Sequence, residues 1–171
     1  MLLKSKICNF GWKAKSFNLL SIDNKYYTLD ELKGNNGTLI MFICNHCPYV
    51  KAIIEKIRFE SLELKNMGIN SIAIMSNDVD EYPEDSFENM KIFAEFYKFN
   101  FQYLYDENQT VAKNYNALCT PDFFGFNKFL ELQYRGRIDS GVNKNNIIDI
   151  KRELFEGMKL ICETNKGPIN Q

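Results

Sequence analysis

The sequence predicts an α/β fold, a central sheet with helices on its faces. Three observations predict it. Two continuous apolar runs of strand length, "TLIMFI" (38–43) and "INSIAIMS" (69–76), flank a segment whose apolar residues recur at helical spacing. Further helical patterns then alternate with short apolar runs. A strand pair followed by an amphipathic helix closes the chain. From the first run onward the order is β-α-β-α-β-α-β-β-α.

Ahead of the first run, "SFNLLSIDNKYYTLDELKGNNG" reads as short strands and turns. Asp23-Asn24 supplies a turn, 28–31 a short helical start and 34–37 a loop. The run 38–43 has the composition of a strand buried on both faces. From Pro48, the positions Val50, Ile53, Ile54, Ile57, Leu62 and Leu64 mark the apolar side of a helix that Gly68 ends. Residues 69–76 form a second buried strand. "SNDVDEYPEDS" is a polar loop, and Ser86 caps the helix "FENMKIFAEFYKF". "FQYLYD" is a strand and "NQTVAKNYN" a short helix. "PDFFGFN" and "FLELQYRGRID" pair about a turn at Asn127-Lys128, and "IIDIKRELFEGMKLICE" (147–163) is the closing helix. Helical crossovers make the runs 38–43 and 69–76 parallel neighbours or near-neighbours. Their carboxyl ends then share one edge of the sheet, where such sheets place their chemistry. The segment "CNHC" (44–47) and the "SNDVDEYPEDS" loop both sit at that edge.

At 171 residues the chain reads as one domain, 1–171, long enough to bury a substantial core. A formal net charge of −1 gives no electrostatic footprint for nucleic acid or an anionic membrane as partner. No apolar run approaches a bilayer span. The start, "MLLKSKICNFGWKAKSF", carries lysines but no continuous apolar stretch of the kind a secretory signal needs. Five cysteines, an odd number and widely scattered, do not make a disulfide framework. The expected location is cytoplasmic, a reducing setting in which a CxxC pair is more often catalytic or metal-binding than structural.

In Cys44-Asn45-His46-Cys47 the chain's only histidine stands between two cysteines. A strand runs in and a helix runs out. Cys44 is therefore expected at or just before a helix N-terminus, where unpaired N–H groups and the helix dipole favour its thiolate. An imidazolium at His46 adds to that preference. Cys47, a turn further on, is expected on the same side of the helix and within disulfide reach, with Pro48 tolerated in the first turn. Such a placement makes Cys44 the accessible, attacking thiol and Cys47 the buried, resolving one. Two other readings compete. A zinc site wants a second ligand pair, and here only Cys119 stands out as a third ligand. A pair of inert buried thiols is the plain structural alternative. Haem attachment needs a histidine after the second cysteine, where Pro48 stands.

Five blocks, "MFICNHCPYVK", "SNDVDEYPEDSFENM", "YLYDENQTVAKNY", "CTPDFF" and "YRGRID", occur in this order within residues 17–160. Together they resemble a thioredoxin-like redoxin family related to alkyl hydroperoxide reductase and the thiol-specific antioxidant proteins (AhpC/TSA). The resemblance implies a thioredoxin-like fold, with a central mixed sheet flanked by helices, an N-terminal β-extension and an inserted helix-strand unit. It implies a thiol-disulfide oxidoreductase in which Cys44 attacks and Cys47 resolves, with Asn45, Thr120 and a cis Pro121 meeting the substrate. It implies no cofactor beyond a redox-active Cys44–Cys47 disulfide. The implied partners are a disulfide-bearing protein or small molecule and an external reductant such as thioredoxin or glutathione. Asn45-His46 resembles the His-containing centres of oxidising thioredoxin relatives, so the expected potential lies between those of thioredoxin and DsbA.

The chain also departs from its relatives. Residues 38–54 contain no Asp or Glu, so the buried acid that thioredoxins carry before CxxC is missing. Water, or a carboxylate of the 78–85 loop, must then move the proton of the inner cysteine. Aligning Cys47 with the peroxidatic cysteine of a PxxxTxxC pattern puts Ile40 at the proline and Cys44 at the threonine. Thiol peroxidase is therefore the weaker alternative, and a non-enzymatic redox-sensing or metal-binding module is the third. Cys119 reads as a core thiol, with an additional redox thiol as its alternative. Arg135 and Arg137 read as a solvated sheet face or a salt bridge, Trp12 as packing or surface, and Cys8 and Cys162 as structural or incidental. The acidic run "DVDEYPED" misses the EF-hand spacing and reads as a solvated loop at the active-site edge.

Overall fold

The structure, a computed structural model, describes residues 7–141 and 150–171. The chain runs β1 (Asn18–Ser21), β2 (Tyr26–Thr28), α1 (Leu29–Leu32), β3 (Gly37–Phe42), α2 (Pro48–Asn66) and β4 (Ile69–Met75). A 3-10 turn (Pro83–Asp85) leads into α3 (Phe87–Phe96), followed by β5 (Gln102–Tyr105), α4 (Thr110–Tyr115), β6 (Asp122–Asn127), β7 (Leu132–Tyr134) and α5 (Glu153–Thr164). The strands form one mixed sheet in the order β2-β1-β5-β4-β3-β6-β7. β3 pairs in parallel with β4, and β4 with β5, while β6 lies antiparallel on the other side of β3. This is the mixed sheet flanked by helices that the family resemblance implies.

Every residue of β3 is buried, because helices cover both faces of the sheet at its centre. Alternation sends Leu39, Met41 and Ile43 into one core with Ile54, Ile57, Met90 and Met158. It sends Ile40 and Phe42 into the other, with Leu29, Val111, Tyr115, Phe124 and Phe126. The central strand is thereby fixed in register, and the turn that leaves it is carried on a rigid element.

The loop feeding β3 is held by close backbone contact. A Cβ on Gly34 would collide with Gly37 O and lie 2.5 Å from Asn70 N and 2.6 Å from Gly68 O, none of them a flexible side-chain end. Gly34→Ala is expected to destabilise the protein by about 1–3 kcal/mol in urea unfolding. A wild-type midpoint would show that the loop can move aside.

The structure corrects several details of the sequence reading. The closing helix begins at Glu153 rather than at 147, and residues 147–149 lie outside the described residues. Ser140 N donates to Lys151 O and Leu154 N to Ile138 O, so the chain just before α5 is tied to the segment after β7 instead of coiling. Leu62, expected on the apolar face of α2, is 48% exposed; the buried stripe runs through Val50, Ile54, Ile57, Ser61 and Leu64. β7 stops at Tyr134, and Arg135 is buried rather than solvated. Both arginines keep the expected salt bridge, Arg135 to Asp122 and Arg137 to Glu153. No helix among the described residues is long and apolar enough to cross a membrane.

A candidate dithiol site at the end of β3

β3 delivers the CNHC turn to the carboxyl edge of the sheet. Ile43 N still donates to Ile74 O at 3.0 Å, extending the parallel pairing with β4 one residue past the strand. The chain then turns through Cys44, Asn45 and His46. α2 starts at Pro48, which has no N–H to lose at a first helical position, and Cys47 is its N-cap. Cys47 is therefore the cap rather than a residue one turn into the helix, and Cys44 lies in the turn before it.

The loop between α4 and β6 closes over the turn. Its Thr120–Pro121 peptide is cis. The Cys44 thiol and the Thr120 hydroxyl share a hydrogen bond of 3.2 Å, and the Cys47 thiol donates to Thr120 O at 3.3 Å. Both cysteines are free thiols, with sulfurs too far apart for a disulfide. Both are buried, Cys44 at 1% exposure and Cys47 at 8%, which corrects the expectation that Cys44 is the more accessible sulfur. The preference for a Cys44 thiolate is reversed as well. Burial pushes the Cys44 thiol up to about 11, the Thr120 hydroxyl opposes the rise, and the Asp85 carboxylate adds to it.

Asp85 ends the 3-10 turn and is 0% exposed. Its Oδ1 accepts the backbone N–H groups of Asn45 at 2.7 Å and His46 at 3.1 Å. Its Oδ2 accepts from Asn77 Nδ2 at 2.7 Å and pairs with His46 Nδ1 at 2.6 Å. The His46 ring stacks flat on Tyr82, with centroids 4.8 Å apart and an interplanar angle of 4°. Asn45 turns inward: its Nδ2 donates to Glu84 O at 3.1 Å and its Oδ1 accepts the buried Tyr103 hydroxyl at 2.9 Å. Sequence reasoning left open which carboxylate of the 78–85 loop approaches the dithiol, and it missed Tyr82 and Tyr103. Pro83 opens the 3-10 turn and Ser86 caps α3, but Glu84 and Asp85 both lie between them, so this spacing does not single out Asp85.

Cys44 Sγ, a His46 ring nitrogen and an Asp85 oxygen lie within 4.8 Å of one another, and zinc accepts these donor types. Three amide N–H groups already donate to the Asp85 oxygens, and His46 Nδ1 contacts Oδ2 as well. Cys119 is half-buried, with its thiol 3.8 Å from Pro121 O. Beside His46 a shallow cleft of about 330 Å³ runs between α2 and α3, lined in part by Lys51, Glu84, Ile92 and Phe96. A cleft of about 360 Å³ between the far end of α2 and the chain entering β5 touches none of the site residues.

The mixed sheet and its flanking helices are those of a thioredoxin-like redoxin. The chain belongs to the AhpC/TSA family, whose pattern matches residues 10–140. An uncharacterized conserved protein from Geobacillus kaustophilus is 38% identical, with a TM-score of 0.92 over 99% of this chain and 90% of that one. A secreted disulfide oxidoreductase from Mycobacterium tuberculosis, homologous to E. coli DsbE, is 15% identical, with a TM-score of 0.58 over 68% of this chain and 80% of that one. The peroxidoxin BcpB from the same organism is 15% identical, with a TM-score of 0.61 over 74% of this chain and 83% of that one. The last two share the fold, which is thioredoxin-like. No curated protein matches the chain.

Proposed function

We propose that the protein is a thiol-disulfide oxidoreductase that cycles Cys44 and Cys47 between dithiol and disulfide. The observation that supports this reading best is the shared anchor: two free thiols of one CxxC turn, both hydrogen-bonded to Thr120 beside the cis Pro121. In the proposed cycle Cys44 loses its proton and attacks one sulfur of a substrate disulfide. A Cys44–substrate S–S bond forms, the substrate S–S bond breaks, and the first thiol leaves with a proton. Cys47 then attacks Cys44 Sγ, the second thiol leaves with the Cys47 proton, and a Cys44–Cys47 disulfide remains. Two electrons have passed to the substrate. Both sulfurs are buried, so an incoming disulfide must displace the Thr120 hydroxyl from Cys44. Thr120 and Pro121 meet the substrate chain in this reading, while Asn45 serves from below through Glu84 and Tyr103. An external thiol such as thioredoxin or glutathione restores the dithiol in a cytoplasmic setting, and no other cofactor is required.

Trapping tests the assignment. Cys47→Ser, expressed in cells, is expected to hold partners as mixed disulfides on Cys44, while Cys44→Ser holds none. Partners held by Cys44→Ser on Cys47 would reverse the roles, and partners held on Cys119 or Cys162, located by peptide mass, would overturn the assignment. Thiol peroxidase is the second reading, favoured by family membership and opposed by Ile40 and Cys44 standing where a peroxide-binding proline and threonine belong. Hydroperoxide consumption outpacing disulfide reduction with the same thiol donor would favour it.

A further inference from the structure

Asp85 is bonded beyond what its place in the fold requires. Holding the CNHC turn needs only Oδ1, which takes the Asn45 and His46 amides. Oδ2 is turned onto a side chain of the redox motif itself, His46 Nδ1, at 2.6 Å. Asn77 Nδ2, at 2.7 Å, fixes that oxygen from just past the carboxyl end of β4. The imidazole is thus held at its edge by a buried carboxylate and across its face by Tyr82. An orienting acid, an imidazole and a nucleophilic thiol within 4.8 Å form the arrangement by which proteins activate a thiol that is not already ionised.

We propose that Asp85 is a positioning residue of the dithiol centre, holding His46 with Nδ1–H on its carboxylate so that Nε2 is free to take the Cys44 proton. This rests on the dithiol reading above. The carboxylate accepts, so Nδ1 donates, and in the neutral ring Nε2 keeps its lone pair. As Cys44 attacks, its proton passes to Nε2 while sulfur forms the bond to the substrate disulfide. The imidazolium returns the same proton to the departing thiolate, so the ring ends as it began. The proton travels between Sγ and Nε2 through one water or on closure over the docked substrate. The titratable groups facing Asp85 are His46 and Cys44 from the turn and Tyr103 from β5.

His46 is the chain's only histidine, so its nitrogen resonances are assigned without ambiguity. In reduced wild-type protein at neutral pH, ¹⁵N NMR is expected to show a protonated Nδ1 and an unprotonated Nε2. The opposite tautomer overturns the proposal. The rate of Cys44 attack is read with the aromatic disulfide 5,5′-dithiobis(2-nitrobenzoate), with the modified cysteine located by peptide mass. Asp85→Asn and His46→Gln are each expected to slow Cys44 about tenfold at pH 7.5. The double variant should be no slower than the slower single one, because the two side chains act as a unit. Additive losses overturn the proposal. So does faster attack by Asp85→Asn, which would mean that the carboxylate acts only as a charge that suppresses the thiolate. If Asp85→Asn does not fold, the wild-type tautomer and the His46→Gln rate still decide. Reagent consumed at other cysteines while Cys44 stays inert overturns the dithiol reading itself, a result distinct from a reactive Cys44 that ignores His46 and Asp85.

Discussion

Replacing Asp122 by alanine while Arg135 remains is expected to lower stability by about 3–5 kcal/mol. Asp122 opens β6 directly after the cis peptide and is fully buried. Its Oδ2 accepts from Arg135 Nη2 at 2.9 Å, and that nitrogen also donates to Asn116 O, at the end of α4, at 2.9 Å. The guanidinium lies 4.3 Å over the Phe124 ring, and its Nε is buried with no hydrogen-bond partner. Water cannot solvate this cation once its carboxylate is gone, which is why breaking a buried pair costs more than the pair contributes. The Asp122→Leu/Arg135→Met double variant, which removes both charges, is expected to recover most of the loss. Urea unfolding with an unchanged m-value is the measurement. A single-variant loss under about 1 kcal/mol would mean that solvent reaches the guanidinium, since exposed pairs contribute no more than that.

The same pair shows where sequence reasoning stops. Arg135 and Arg137 look alike in "YRGRID", yet one is buried against β6 and the other pairs with Glu153 near the surface. The difference lies in Asp122, Phe124 and Asn116, which reach Arg135 only through the fold. β3, β4 and the CNHC turn were legible because their signals are local: continuous apolar runs, a proline at the first helical position, and serine at the cap of α3. The burial of Cys44 was not legible, because the hydroxyl that covers it belongs to Thr120, 76 residues away. Nor was Asp85. It is one of five acids between 78 and 85, and nothing local marks the one that folds inward under Asn45 and His46.

The Cys44 thiol of the reduced protein is expected to ionise near pH 11, well above the range that the CNHC motif leads one to expect. The motif argument gives Cys44 a helix N-terminus and an imidazolium. In the structure the amides of Asn45 and His46 point at Asp85 instead, and His46 Nδ1 is engaged by the same carboxylate. At the sulfur, burial dominates; the Thr120 hydroxyl and the Cys47 backbone N–H partly offset it, and the Asp85 charge reinforces it. At pH 7 about one Cys44 in ten thousand is then a thiolate, since each pH unit below the pKa is a factor of ten. A thiolate that is not stabilised gives the reduced state no advantage over the disulfide. Each 1.4 kcal/mol of that advantage would raise the potential by about 30 mV, so the couple is expected at or below the roughly −270 mV of thioredoxin. Thiolate absorbance against pH, taken as the difference between parent and Cys44→Ser, isolates Cys44 from Cys8, whose thiol burial also pushes up to about 11. Equilibration against dithiothreitol gives the potential. A Cys44 transition below about pH 8.5, the ordinary thiol value, or a potential above about −230 mV, the upper limit expected of a reducing couple here, would restore the oxidising centre that CNHC implies. Burial and Asp85 would then not govern the thiol.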